Sequence, residues 1–311
     1  MELLIGIDGG GTKTDFLVCD SSGIVLKQIR TGPSNPVDIG IEQAIATLNG
    51  GLCEIQDSFP DCFIASIYAG LSGGSFGTMK QQINSRLRTL VSPKTIVEND
   101  TDGLNPMLYE FAGGDGAAVI AGTGSVGFCK KDGQVLRIGG YGYLFDKGGS
   151  GYDYGRDAIY HALCALDGKG EKTLIVKLLE ARIGDIRASL PDLYHKGKAY
   201  IASFAPIVFE AYRQGDTVAK QIVHANTKEL ASIFRLLAQH QEKDVCEVVL
   251  SGSIWNEFDL IRPHLLSCLN TAFRFILCRV PPVYGAAIQA ALQAGYTNIT
   301  EFKETLSEGI S

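Results

Sequence analysis

The chain lacks the marks of several common protein classes. Its 8 cysteines (Cys19, Cys53, Cys62, Cys129, Cys164, Cys246, Cys268 and Cys278) are scattered, and none forms Cys-x-x-Cys. That spacing argues against a disulfide framework and against a zinc site. Several sit inside apolar runs, where a reduced thiol behaves as a small hydrophobe. The 5 histidines show no metal-binding spacing. No basic block or arm is present, and the net charge is −6, so nucleic acid is not an expected partner. No segment has the ~20 apolar residues a membrane span needs. The start, Met1-Glu2-Leu3-Leu4, lacks a basic leader region and reads as a first strand. A reducing cytoplasm is the expected setting, away from membranes.

What is present begins at Ile5-Gly6-Ile7-Asp8-Gly9-Gly10-Gly11-Thr12-Lys13-Thr14. An apolar run ends in an aspartate, three glycines follow, and a second apolar run starts at Phe16. This pattern predicts a hairpin with a bare-backbone tip. Converging amides at such a tip suit an anion, most often phosphate. An ordinary hairpin turn is the plainer alternative. The tip is not a Walker loop, which needs Gly-x-x-x-x-Gly-Lys-Ser/Thr and a helix afterwards. Asp8, at the strand end, is a candidate Mg²⁺ ligand, directly or through water.

With 311 residues, 45% of them hydrophobic, the chain has the length for about two domains at ~150 residues each. A third strand, Ile24–Ile29, completes a meander. Loop 31–36 follows; Asn35 there either tolerates a turn or offers its amide to a polyhydroxylated ligand. Helices are predicted over 40–52 and 79–90, and buried strands over 63–71 and 94–100. This alternation predicts an α/β layer architecture, in which ligands lie beyond the carboxyl ends of strands. Asp100 lies at such an end, as a candidate catalytic group or as a helix N-cap for the segment from Asp102.

The opening pattern then recurs. Ala117–Ala121 leads into Gly122-Thr123-Gly124-Ser125, a second strand-like run, a turn at Asp132-Gly133, and another strand. Two such meanders imply an internal duplication with a glycine tip in each half, able to grip a triphosphate from both sides. Gly122–Gly127 also fits Gly-x-Gly-x-x-Gly, but a dinucleotide site would need a helix there. Further on come the glycine-rich stretch 139–152, a helix over 154–166, a mainly helical region 171–241 broken near 189–191 and 215–216, a strand over 245–250, a helix over 256–270, a strand over 273–277 and a helix over 284–294.

Taken in order, Asp8-Gly9-Gly10-Gly11-Thr12-Lys13-Thr14, Asn99-Asp100, Ala121-Gly122-Thr123-Gly124-Ser125, Gly139-Gly140-Tyr141-Gly142-Tyr143 and Ser251-Gly252-Ser253-Ile254-Trp255 resemble the N-acetylglucosamine kinase branch of the BadF/BadG/BcrA/BcrD ATPase family, within the sugar kinase, Hsp70 and actin superfamily. The resemblance implies two ribonuclease H-like, actin-like ATPase lobes with a cleft between them. One would be 1–112 and the other 113–311, with the last helix packing back on the first. It implies ATP and Mg²⁺ as cofactors, a small-molecule amino sugar as substrate, and a homodimer. Gly9, Gly10, Gly11, Thr12 and Lys13 would form the first phosphate loop, and Gly122, Thr123 and Gly124 the second. Ala202, Gly252, Ser253 and Asn256 would border the nucleotide. Asn35, Ser72, Asn99, Asp100, Ser125, Gly140 and Tyr141 would line the sugar, with Asp100 as catalytic base and the 6-hydroxyl as its target.

One departure bears on the substrate. The family carries Gly-Asp-Glu-Gly-Ser where this chain has Asp146-Lys147-Gly148-Gly149-Ser150, so either Asp146 or Lys147 faces the sugar. A lysine there would suit an anionic amino sugar such as N-acetylmuramic acid. Kinases of glucosamine or another hexose are the neighbouring alternatives. A dehydratase-activating ATPase is an alternative of another class; it would carry cysteines for an iron–sulfur cluster, and no close cysteine pair occurs. A sugar-sensing regulator would need a helix-turn-helix segment ahead of the first strand.

Overall fold

The computed structural model describes residues 1–310. They form two compact units: Met1–Gly116 together with the segment from Cys278 onward, and Ala117–Leu277.

The first unit opens with the meander β1 (Glu2–Gly9), β2 (Thr14–Asp20) and β3 (Val25–Thr31). Next come α1 (Pro36–Ile39), α2 (Ile41–Ser58), β4 (Phe63–Leu71), α3 (Met79–Thr89), β5 (Ile96–Asp100) and α4 (Asn105–Glu110). The sheet order is β3-β2-β1-β4-β5. The meander pairs are antiparallel, and β1–β4 and β4–β5 are parallel. The unbroken run Leu3–Ile7 puts β1 at the centre, where both faces are covered. One face, bearing Leu3, Ile5, Ile7, Phe16, Ile67, Ala69 and Val97, packs on Leu48, Leu52 and Ile55 of α2 and Ile83 and Leu87 of α3. Helix α2 extends six residues past the expected end at Leu52, through Gly50-Gly51. Gly51 is there for space: a Cβ on it would lie 2.3 Å from the Phe16 ring.

The second unit repeats the plan with β6 (Gly116–Ala121), β7 (Ser125–Lys131) and β8 (Gln134–Gly139), then α5 (Gly151–Leu166), α6 (Leu174–Ile183), α7 (Leu190–Ala202), α8 (Ala205–Arg213), α9 (Thr217–Gln241), β9 (Val245–Ser251), α10 (Phe258–Ser267) and β10 (Ala272–Leu277). Its sheet order, β10-β9-β6-β7-β8, is that of the first sheet, strand for strand. Val119, Ala121, Val248 and Leu250 pack under Tyr154 of α5, Phe209 of α8, and Leu230 and Phe234 of α9. Helix α10 starts later than expected, because a 3-10 turn, Ser253–Glu257, precedes it.

The chain then returns to the first unit with α11 (Val283–Gln293) and α12 (Ile299–Glu308). The sequence reading divides the chain after residue 112 and returns only the last helix, whereas both helices from Cys278 onward belong with the first unit. The reason is visible in the small residues of α11. A Cβ on Gly6 would meet the Ala287 backbone nitrogen at 2.4 Å, and one on Gly285 would meet the Asn105 carbonyl at 1.7 Å. Helix α11 therefore lies on β1 and α4 at backbone distance. No helix among the described residues is long and apolar enough to cross a membrane.

Candidate active site

In the first unit the strand registers align one row of residues across all five strands. Arg30 on β3 faces Asp15 on β2, which faces Asp8 on β1; Asp8 faces Gly70 on β4, which faces Asp100 on β5. Paired residues share a face of the sheet. At about 4.8 Å per strand, Asp8 and Asp100 have backbones about 10 Å apart. Three carboxylates thus stand on one face, at the carboxyl ends of the parallel strands.

Each carboxylate has its own partner. Asp15 accepts from Lys13 at 2.5 Å and Arg30 at 2.6 Å. Burial alone would raise its pKa, but those two cations outweigh it and hold the group below the ordinary carboxylate value. Asp8 accepts from the Asn105 amide at 2.6 Å. Asp8 keeps some exposed surface but is densely surrounded by protein atoms. That burial, with Asp102 and Asp15 nearby, pushes it from 3.8 to about 7. Gly70 leaves room for this contact, since a Cβ on it would meet the Asn105 amide at 2.4 Å. Asp100 accepts from Lys80 at 2.6 Å and from the Thr101 amide at 2.8 Å.

The N-cap alternative for Asp100 does not hold, because Thr101 caps the turn that follows. Asn99 has opposite parity, is fully buried, and donates to the Gly74 carbonyl at 3.2 Å. It supports the loop after β4. Ser72, in that loop, donates its amide to Gly9 at 2.8 Å, tying the loop to the first tip. Asn35 caps α1, accepting from Val37 at 2.9 Å and donating to Asp38 at 2.8 Å, and lies against Gly73. At the first tip, Gly10 donates to Lys13 and accepts from Ser34. The Gly11 and Thr12 amides have no acceptor among the described residues. Gly9 has no space for a side chain, since Ser34 Oγ lies 2.1 Å from its Cβ position.

In the second unit, Gly122–Gly124 form the tip between β6 and β7. The Gly122 and Thr123 carbonyls accept from Gly151 at 2.7 Å and Tyr152 at 3.2 Å, the first amides of α5. Ser150 and Asp153 form a reciprocal capping box at the start of that helix. Accepting at a carbonyl polarises the N–H of the same peptide. Those N–H groups belong to Thr123 and Gly124, and neither has an acceptor among the described residues. The expected nucleotide residues cluster here. A Cβ on Gly252 would meet the Ala121 carbonyl at 2.5 Å, and one on Gly151 would lie 3.6 Å from the Ala202 methyl. Ser253 and Asn256 are exposed on the 3-10 turn, anchored by Trp255, whose indole donates to Val119 at 3.0 Å.

The glycine stretch after β8 is clasped from both sides. Asp146 accepts from the amides of Gly140 at 2.5 Å, Tyr141 at 3.1 Å and Lys147 at 2.9 Å. Arg137 donates to the Gly139 carbonyl at 3.0 Å and also to that of Gly140. Asp146 is therefore committed to the backbone. Lys147 is exposed, with no ion pair among the described residues. Tyr141 is 63% exposed beside Arg137. Ser125 is buried beneath Gly148. Among the described residues no group of three or more His, Cys, Asp or Glu forms a complete metal cage.

Sequence reasoning passed over Asp15, Arg30, Lys80 and Asn105. Counting outward from the hairpin tip pairs Asp8 with Asp15, so that residue was within reach. Asn105 lies 97 residues from Asp8, and nothing local marks it.

The profile described as the BadF/BadG/BcrA/BcrD ATPase family matches residues 5–290. A Clostridium acetobutylicum protein named N-acetylmuramic acid/N-acetylglucosamine kinase is 32% identical over 315 residues, covering 93% of this chain and 98% of its own length. The N-acetyl-D-glucosamine kinase of Dictyostelium discoideum is 29% identical over 280 residues, covering 81% and 86%. The crystal structure of a Chromobacterium violaceum protein superposes with a TM-score of 0.71 at 24% identity, covering 92% and 98%, and so shares the fold.

Proposed function

The chain belongs to the BadF/BadG/BcrA/BcrD ATPase family, and from that premise we propose that it is an ATP-dependent kinase of an amino sugar such as N-acetylglucosamine or N-acetylmuramic acid, acting on the 6-hydroxyl. The observation that carries this reading is Asp100: a carboxylate at a parallel strand end, released from capping duty and in one row with Asp8. The kinases named among the relatives favour it over a dehydratase activator.

Phosphoryl transfer needs alignment and charge stabilisation more than covalent work from the protein. Asp100 accepts the proton of the sugar hydroxyl as its oxygen bonds to the γ-phosphorus. The bond from that phosphorus to the ADP oxygen breaks, and a sugar phosphate and ADP leave. Such a base contributes 10²–10⁴-fold. The amides of Gly11, Thr12, Thr123 and Gly124 bind phosphate oxygens. Gly252, Ser253, Asn256 and Ala202 border the adenosine. Asn35, Ser72 and Tyr141 face the sugar, while Asn99 and Asp146 act as supports, leaving Lys147 as the group available to it.

The residues fit Mg²⁺. This cation is held through one or two carboxylates plus waters and phosphates, and needs no full protein cage. Asp8, whose proton is retained up to about pH 7 by burial and by Asp102 and Asp15, is where a cation would relieve charge. Bound there, Mg²⁺ supplies neutralisation of the phosphate charge. The test is a coupled ADP-release assay with ATP over a panel of amino sugars. Turnover on N-acetylglucosamine or N-acetylmuramic acid, with product phosphorylated at O6, supports the proposal. Turnover on none of them overturns it.

A further inference from the structure

Lys80 stands where a lysine is least at home. It is the second residue of α3, a helix with no acidic residue in its first turn and no side-chain cap. The exposed helix amides there disfavour a cation. Its ammonium instead reaches Asp100 Oδ2 at 2.6 Å. The other oxygen of Asp100 accepts the Thr101 amide at 2.8 Å. The carboxylate is thus held at both oxygens, which fixes its plane and leaves one lone-pair direction on each oxygen for a substrate hydroxyl.

The segment carrying Lys80 is anchored to the same strand a second time. Asn99, the residue before Asp100, holds Gly74 in the loop that leads into α3. Two successive residues of β5 therefore grip the loop and the helix start from opposite faces.

We propose that Lys80 is a positioning residue for the base Asp100: it orients the carboxylate toward the sugar hydroxyl. This rests on the kinase reading above. The other charged and titratable groups around Asp100 are Glu98 on its own strand, Asp102 in the following turn, Tyr68 on β4 and Asp8 in the same row. Three of these are carboxylates. Lys80 is the one cation within ion-pairing distance of Asp100 among the described residues.

The experiment measures kcat, with KM for ATP and for the amino sugar, on wild type, Lys80→Met and Lys80→Arg. For Lys80→Met we expect kcat at neutral pH to fall on the order of ten- to a hundredfold. KM for ATP should stay within about twofold of wild type, and Lys80→Arg should recover most of the activity. A Lys80→Met kcat within about twofold of wild type, or a Lys80→Arg as impaired as Lys80→Met at unchanged thermal stability, overturns the proposal. A wild-type chain without turnover on any amino sugar overturns the kinase reading itself.

Discussion

The two glycine tips share a topology and differ in what surrounds them. The first stands beside a row of charges in which every carboxylate has a partner: Asp15 with Lys13 and Arg30, Asp8 with Asn105, Asp100 with Lys80. The second is held through its backbone, its carbonyls tied to the first amides of α5. One copy of the duplicated plan sets ionisable groups beside its tip; the other ties its tip by backbone hydrogen bonds to a helix start. On this account the first unit reacts and the second holds.

The comparison can be broken at either tip. The largest of these effects is expected at Asp8. Asp8→Asn removes the charge that would face Mg²⁺, and kcat should fall on the order of a hundredfold. Raised Mg²⁺ should restore part of it in a steady-state titration. An unchanged kcat would remove Asp8 from the chemistry.

The second tip should respond in binding instead. A Cβ on Gly151 would press on the Gly122 carbonyl at 2.8 Å. Gly151→Ala should therefore displace the tip even though alanine is the better helix former. Affinity for ATP should drop roughly tenfold, about 1.4 kcal/mol, with AMP affinity unchanged by calorimetry. Equal losses for both nucleotides would mean the tip does not meet the outer phosphates.

Lys147 tests the sugar side with a smaller effect. Lys147→Ala should weaken KM for N-acetylmuramic acid by a factor of about two to five, the worth of an exposed ion pair. N-acetylglucosamine should be unaffected. Equal effects on both sugars would count against an anionic substrate contact.

A pH experiment sharpens the ionic half without substrates. Asp8 has its folded pKa raised from 3.8 to about 7. The folded state then binds the proton more tightly than the unfolded chain does. Its contribution to stability is complete below about pH 4, is lost as pH rises to about 7, and is level above that. Denaturant midpoints of the metal-free chain should decline across that window, and Asp8→Asn should flatten the decline.

Much of this was legible in the residues. Apolar runs and glycine clusters marked both meanders, and Asp100 was placed at a strand end by the apolar run before it. The α2 extension was hidden because Gly50-Gly51 reads as a stop, while the Phe16 ring that requires Gly51 lies on another strand. The return of α11 was hidden for a similar reason: Gly6 and Gly285 are nearly 280 residues apart, and only folding shows that both make room for that helix. The three backbone amides that engage Asp146 are likewise something a sequence does not display. Asn99 lies on the opposite face of β5 from Asp100, which the alternation of that strand could have foretold.

The most direct measurement is Asp100→Asn, followed by turnover of an amino sugar and by ATP binding on the same preparation. If Asp100 is the base, turnover falls by 10²–10⁴-fold while ATP affinity stays at the wild-type value. Turnover within about twofold of wild type, with ATP bound normally, would contradict the account.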